Sequence, residues 1–85
     1  MKRLHLYEQV ETYLLHMVRE NIGTPDFRFP SENQLVNMFN VSRITAKRAL
    51  TNLTDEGLLY RKKGSGTYLA PGLTTEYVDK RFPRE

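Results

Sequence analysis

The stretch VSRITAKRAL, Val41–Leu50, sets three cations, Arg43, Lys47 and Arg48, among small or apolar residues with no acid between them. Guanidinium and ammonium groups donate hydrogen bonds and accept none, so they suit a partner rich in acceptors and negative charge. The guanidinium of Arg43 can place two parallel hydrogen bonds on guanine O6 and N7, a contact worth roughly 1–3 kcal/mol of discrimination. Lys47, one turn on, can reach a base or a phosphate. Ser42 and Thr45 are short donors that suit a phosphate at a helix N-terminus, where free backbone N–H groups also point. Ser42 can equally be a plain helix cap, and cap and contact can coexist because they use different lone pairs or protons.

A second basic run follows. Arg61, Lys62 and Lys63 lead into Gly64, Ser65 and Gly66. Two glycines let the backbone approach a phosphate, or enter a narrow groove, without side-chain obstruction. From Val41 to Ala70, six cations stand against Asp55 and Glu56, so this segment carries +4 of the formal +3 and the remainder sums to −1. Charge concentrated in this way favours a polyanion.

Other chemistries find little support. The chain has no cysteine, and His5 and His16 stand eleven positions apart, so no metal-ligand spacing appears. His16 falls beside the apolar stripe of the first helix and reads as a partly exposed surface residue. No Ser-His-acid set is recognisable, and no GxxxxGK[ST] loop is present. No enzyme activity and no cofactor or metal is expected. Absence of cysteine fits a reducing cytosol, and the cytoplasm is the expected location. No apolar run approaches the roughly 20 residues that span a bilayer. The opening MKRLHLYEQV is broken by Glu8 and Gln9, which argues against a signal peptide.

The elements that must position these residues can be read from period and caps. At 85 residues the chain is expected to form one domain, and a chain this short buries only about 60% of its unfolded surface. Leu6, Val10, Leu14 and Met17 make one apolar stripe, broadened by Val18 and Ile22, so a helix is predicted from about Leu4 to Asn21. Gly23 and Pro25 end it. DFRF, Asp26–Phe29, alternates polar and aromatic residues and reads as a short strand. Ser31 caps a second helix, with Gln34 completing a capping box and Leu35, Met38 and Phe39 forming its apolar face. Asn40 suits a left-handed helix end. Ser42 then caps a third helix, predicted to run to Glu56 with Gly57 at its close.

On that third helix, at about 100° per residue, Ala46, Ala49, Leu50 and Leu53 share the core arc. Ile44, Arg48 and Thr51 lie opposite, with Lys47 between, on the Arg43 side. Leu58–Arg61 and Thr67–Ala70 read as a hairpin around the basic, glycine-rich tip. The predicted fold is therefore mainly α, a small α+β winged helix-turn-helix. It has three helices, a C-terminal two-stranded wing and a short strand before the second helix. Residues 1–70 form this domain, and 71–85, without sustained period, read as a linker or tail. Glu32, in the first turn of the second helix, can accept from cytosine N4 or hold Arg43. It can also simply stabilise the helix N-terminus.

These residues resemble a known family. PSE at Pro30–Glu32, VSR.T at Val41–Thr45, AL..L...G at Ala49–Gly57 and G.GT at Gly64–Thr67 look like the DNA-binding domain of GntR-family bacterial transcription repressors. LYEQV at Leu6–Val10 resembles the start of that family's first helix. The likeness covers about Leu6 to Ala70. It implies a third helix in the major groove and a wing tip in the minor groove of an inverted-repeat DNA operator. Under it, Glu32 becomes a DNA contact, and Tyr7 and Lys63 join as phosphate or groove contacts. The expected DNA-facing set is Tyr7, Ser31, Glu32, Ser42, Arg43, Ile44, Thr45, Lys47, Arg48, Lys63, Gly64, Ser65 and Gly66.

Positions 46 and 47 read Ala-Lys where the family more often has Val-Arg, and lysine lacks the bidentate fork. The resemblance also implies a homodimer in the full-length regulator and a small-molecule effector bound by a C-terminal domain beyond these residues. Residues 71–85 would then lead toward that domain. No membrane partner is expected. The alternative use of the same basic surface is a winged-helix module for protein or RNA contacts.

Overall fold

The computed structural model describes residues 5–24 and 26–83. Helix α1 spans Leu6–Glu20, α2 Glu32–Phe39 and α3 Arg43–Asp55. Strands β1, Leu59–Lys62, and β2, Gly66–Leu69, follow, and α4, Thr75–Arg81, closes the order. The expected helix start at Leu4 and the stop at Pro25 lie outside the described residues. Among those described, no helix is long and apolar enough to cross a membrane.

Local chemistry explains each boundary. The backbone N–H of His5 donates to the Glu8 carboxylate at 2.9 Å, which fixes the start of α1. At α2 the capping box forms as expected: Ser31 Oγ accepts from the Gln34 N–H at 3.1 Å, and the Ser31 N–H donates to Gln34 Oε1 at 2.8 Å. Asn40 takes φ 54°, the left-handed conformation that turns the chain from α2 toward α3. Gly57, at φ 81°, follows the end of α3 and sends the chain into β1.

The wing is an antiparallel pair in the register Leu59↔Leu69, Tyr60↔Tyr68, Arg61↔Thr67 and Lys62↔Gly66. The strand expected before α2 is a single bridge, Arg28↔Tyr68. Its backbone bonds run from the Phe29 N–H to the Thr67 carbonyl at 2.8 Å and from the Leu69 N–H to the Phe27 carbonyl at 2.9 Å. Phe27 and Phe29 meet edge to face at 5.3 Å. This bridge joins the segment leading into α2 to the wing.

One core holds the elements together. Val10, Leu14, Leu15 and Val18 of α1 meet Leu35 of α2, Ala46, Ala49, Leu50 and Leu53 of α3, and Leu58, Leu59 and Leu69 of the hairpin. The core arc predicted for α3 is the buried one. Two helix faces differ from expectation. Leu6 is 54% exposed and Met38 is 52% exposed, while Leu15 is buried. In α1 the buried set, Val10, Leu14, Leu15 and Val18, falls at i, i+4, i+5 and i+8, so at about 100° per residue the face against the core is rotated toward Leu15 from the predicted stripe.

The segment read as a linker or tail departs most. Residues 75–81 form α4, so the fold has four helices rather than three. Thr74 caps α4 by accepting from the Tyr77 N–H at 3.1 Å, and Val78 is fully buried in the common core. Arg19 of α1 donates from Nε to Asp79 at 2.9 Å and from Nη2 to the Phe82 carbonyl. Tyr77 donates its hydroxyl to the Glu56 carbonyl at 3.1 Å, and Arg81 lies 3.7 Å from the Glu56 carboxylate. The packed unit thus extends past residue 70 to Phe82.

Candidate nucleic-acid interface

The amino end of α3 is built by Ser42. Its Oγ accepts from the Thr45 N–H at 3.1 Å and donates to Thr45 Oγ1 at 2.9 Å. The hydroxyl proton of Ser42 is therefore committed within the cap. The hydroxyl proton of Thr45 remains available to an outside acceptor. Of the two short donors expected at this end, Thr45 is the one the geometry leaves ready.

Arg43, Ile44, Lys47 and Arg48 are all exposed. Arg43 stands at the α2 flank, with Nη1 4.0 Å from Glu32 Oε1 and its side chain 65% exposed. Glu32 is 26% exposed, and a long pair whose arginine lies open to water is worth about 0–1 kcal/mol. Glu32 thus stands beside the guanidinium without sequestering it. On the α1 flank, the guanidinium of Arg48 lies 3.9 Å above the Tyr7 ring, an arrangement worth roughly 0.5–1 kcal/mol when exposed. One turn along that flank, Asn52 hydrogen-bonds Glu11. Tyr7, expected as a phosphate or groove contact, is in this geometry the ring on which the Arg48 guanidinium rests. Ile44 projects between these flanks and is 80% exposed.

The wing brings Lys63, Gly64, Ser65 and Gly66 to its tip, closed by the Ser65 N–H donating to the Lys62 carbonyl at 2.9 Å. The two glycines differ. A Cβ on Gly64, at φ 75°, would meet nothing within 4 Å, so its backbone is bare toward an incoming surface. A Cβ on Gly66 would lie 3.1 Å from Nε of Arg28, whose guanidinium covers that residue. The expectation of an unobstructed backbone thus holds at Gly64 and fails at Gly66, where glycine makes room for Arg28. Ser65 Oγ is hydrogen-bonded to the Tyr68 hydroxyl, and Lys62 Nζ stands 5.5 Å from the Tyr68 ring.

Between the starts of α2 and α3 and the wing lies an open cleft of about 210 Å³, lined by Arg28, Ser31, Glu32, Arg43, Arg61 and Gly66. Ser31 and Glu32 line this cleft beside three arginines. Arg28 was missed in the sequence, and Arg61, read there as part of the basic run, was left out of the expected DNA-facing set. Arg61 also donates to Thr51 Oγ1 of α3 at 3.2 Å, tying the wing to the helix. The signal for Arg28 was present: Phe27 and Phe29 share the inner side of a strand, so the residue between them must face out. His16 lies 3.2 Å from Glu20 on an exposed part of α1, and among the described residues no group of three or more His, Cys, Asp or Glu is placed to hold a metal ion.

The family model described as bacterial regulatory proteins, gntR family, matches residues 6–69. The chain belongs to the gntR family. Similar curated members of the family include the histidine utilization repressor of Klebsiella aerogenes. It is 45% identical over 64 residues, covering 75% of this chain and 27% of that protein. The HTH-type transcriptional repressor NagR of Bacillus subtilis is 40% identical over 65 residues, covering 76% and 27%. The chain therefore spans about a quarter of the length of these gntR-family relatives. Among solved structures, AraR(DBD) in complex with operator ORR3 superposes with a TM-score of 0.73 at 37% identity, covering 81% of this chain and 83% of that one. A GntR family transcriptional regulator from Listeria monocytogenes shares the fold, with a TM-score of 0.74 at 19% identity, over 94% of this chain and 68% of that one.

Proposed function

We propose that this chain is the operator-reading domain of a bacterial transcription repressor. The carrying observation is the outward face of α3. Arg43 and Arg48 are held loosely on its two flanks, Ile44 and Lys47 project from it, and the bare Gly64 tip extends from the adjoining wing. Arg43 reads a guanine edge, Thr45 and the free N–H groups of the first turn hold a phosphate, and Lys47 and Arg48 neutralise the flanking strands. The wing enters the minor groove through Gly64, with Lys63 on the backbone beside it. The family membership and the AraR(DBD)–operator likeness support the same docking.

The full-length regulator is a homodimer on an inverted repeat, with half-sites about 34 Å apart, and carries an effector-binding domain beyond α4. It acts in the cytoplasm and performs no catalysis, in keeping with relatives that are transcriptional regulators. Selection of bound duplexes from a random DNA pool, using the 85-residue chain, tests the proposal. Enrichment of an inverted repeat is the expected result. A salt titration on the enriched duplex should give a log–log slope near −0.9 per phosphate neutralised. Failure to enrich any duplex at low ionic strength would overturn the proposal in favour of a protein- or RNA-contacting module.

A further inference from the structure

We propose that Ile44 reads thymine through its 5-methyl group and so sets part of the base preference of α3. This deepens, and rests on, the operator-reading role above. Ile44 is 80% exposed, against 54% for Leu6 and 52% for Met38. A single exposed apolar side chain is ordinary on a protein surface, so its exposure alone says little. Its surroundings say more.

On the wheel of α3, the buried residues Ala46, Ala49, Leu50 and Leu53 centre about 170° away from Ile44 at roughly 100° per residue. Ile44 therefore marks the outermost line of the helix. Its neighbours at i−1, i+3 and i+4 are Arg43, Lys47 and Arg48. A protein partner covering Ile44 would have to take three cations out of water with it, which is costly unless each finds a counter-charge. Duplex DNA supplies those counter-charges, as phosphates on both walls of the major groove.

Within that groove, the apolar group a base edge offers is the thymine methyl. First-turn residues of a recognition helix point at base edges, and Ile44 is the second residue of α3. The branch at Cβ leaves one strongly preferred χ1 rotamer in a helix, so the side chain loses little freedom when it docks. Glu32 and Tyr7 hold Arg43 and Arg48 toward the two flanks. The centre of the face is left to an apolar contact.

Deoxyuridine isolates the contact, because it pairs as thymine does and lacks only the methyl. The probe is the consensus duplex recovered by pool selection, with each thymine replaced one at a time. Binding by the 85-residue chain should weaken about fourfold per lost methyl at one or two positions in each half-site. Ile44→Ala should bind thymine and deoxyuridine duplexes alike, with an unchanged melting temperature, and Ile44→Val should keep most of the sensitivity. If the natural chain prefers the consensus yet is indifferent to every deoxyuridine, the assignment to Ile44 falls and the operator-reading role stands. Undiminished methyl sensitivity in Ile44→Ala would also overturn it. Should no duplex be enriched at all, the operator-reading role falls and this inference falls with it.

Discussion

Arg43 on α3 and Arg19 on α1 each face a carboxylate, and the two pairs are built differently. Arg43 stands 4.0 Å from Glu32 with its side chain 65% exposed. Arg19 meets Asp79 at 2.9 Å with its side chain 17% exposed, and also bonds the Phe82 carbonyl. Glu32 is 26% exposed and Asp79 34%, so the carboxylates do not make the difference; the first pair is longer and screened by water from the arginine side, which leaves it worth little. The second sits at a packed junction, where bonds to a charged group contribute more. One chemistry thus serves two ends. A loose, exposed arginine is free to meet a ligand, as the proposed operator reading requires, whereas a close, half-buried one fastens an element of the fold. Composition cannot separate the two; distance and exposure do.

The comparison is most sharply broken at Arg43. Arg43→Ala should lower the preference for operator over random duplex by about 1–3 kcal/mol for each half-site read. Thermal stability should stay within about 0.5 kcal/mol of the natural chain, as for other surface substitutions. Competition binding on the two duplexes and a melting curve together check this. Equal losses on both sequences would make Arg43 a phosphate contact, and a large fall in melting temperature would make it structural like Arg19.

Arg19→Ala should show the opposite signature. Losing its bonds to Asp79 and Phe82 should cost about 2 kcal/mol of stability, or roughly 10 °C in melting temperature for a domain of this size. The operator preference, measured below the transition, should not change. Ser42→Ala comes next. It removes the cap of α3 at a cost of about 1 kcal/mol. Affinity for random duplex should fall with it only as far as the first turn frays, because the Ser42 hydroxyl proton is spent on Thr45. A loss of binding at unchanged stability would return Ser42 to the phosphate contacts.

How much of this was legible in the sequence follows the range of the forces involved. The caps at Ser31 and Ser42, the left-handed Asn40 and the buried arc of α3 depend on residues within a turn or two of one another, and each is in place. Exposure of the α3 cations followed from that arc. Helix α4 was not legible. Its apolar residues Tyr77 and Val78 span too little chain to show a period, and the clasp that holds it comes from Arg19, 60 residues away. The outward direction of Arg28 could be read from its two phenylalanine neighbours. Its place over Gly66 could not, because that depends on the bridge to Tyr68. The proton of Ser42 also escaped notice, since a capping motif says which atom accepts and leaves the donor's target open.

The smallest expected effect tests what Glu32 does, and it bears directly on the comparison. If the carboxylate only aims Arg43, Glu32→Gln should leave stability nearly unchanged, since the pair is worth about 1 kcal/mol at most. Random-duplex affinity should rise slightly, because one negative charge leaves a surface that faces phosphates. Operator preference should shrink by less than in Arg43→Ala. Combining the two substitutions should then add little to the loss from Arg43→Ala alone, because an aiming group has nothing left to aim. That non-additivity is what a double-mutant cycle measures. If Glu32→Ala, which unlike the glutamine variant keeps no acceptor, instead costs as much preference as Arg43→Ala, and the two losses add, the carboxylate is accepting a hydrogen bond from cytosine N4 on its own account. The 4.0 Å separation from Arg43 would then measure two readers side by side rather than a reader and its support.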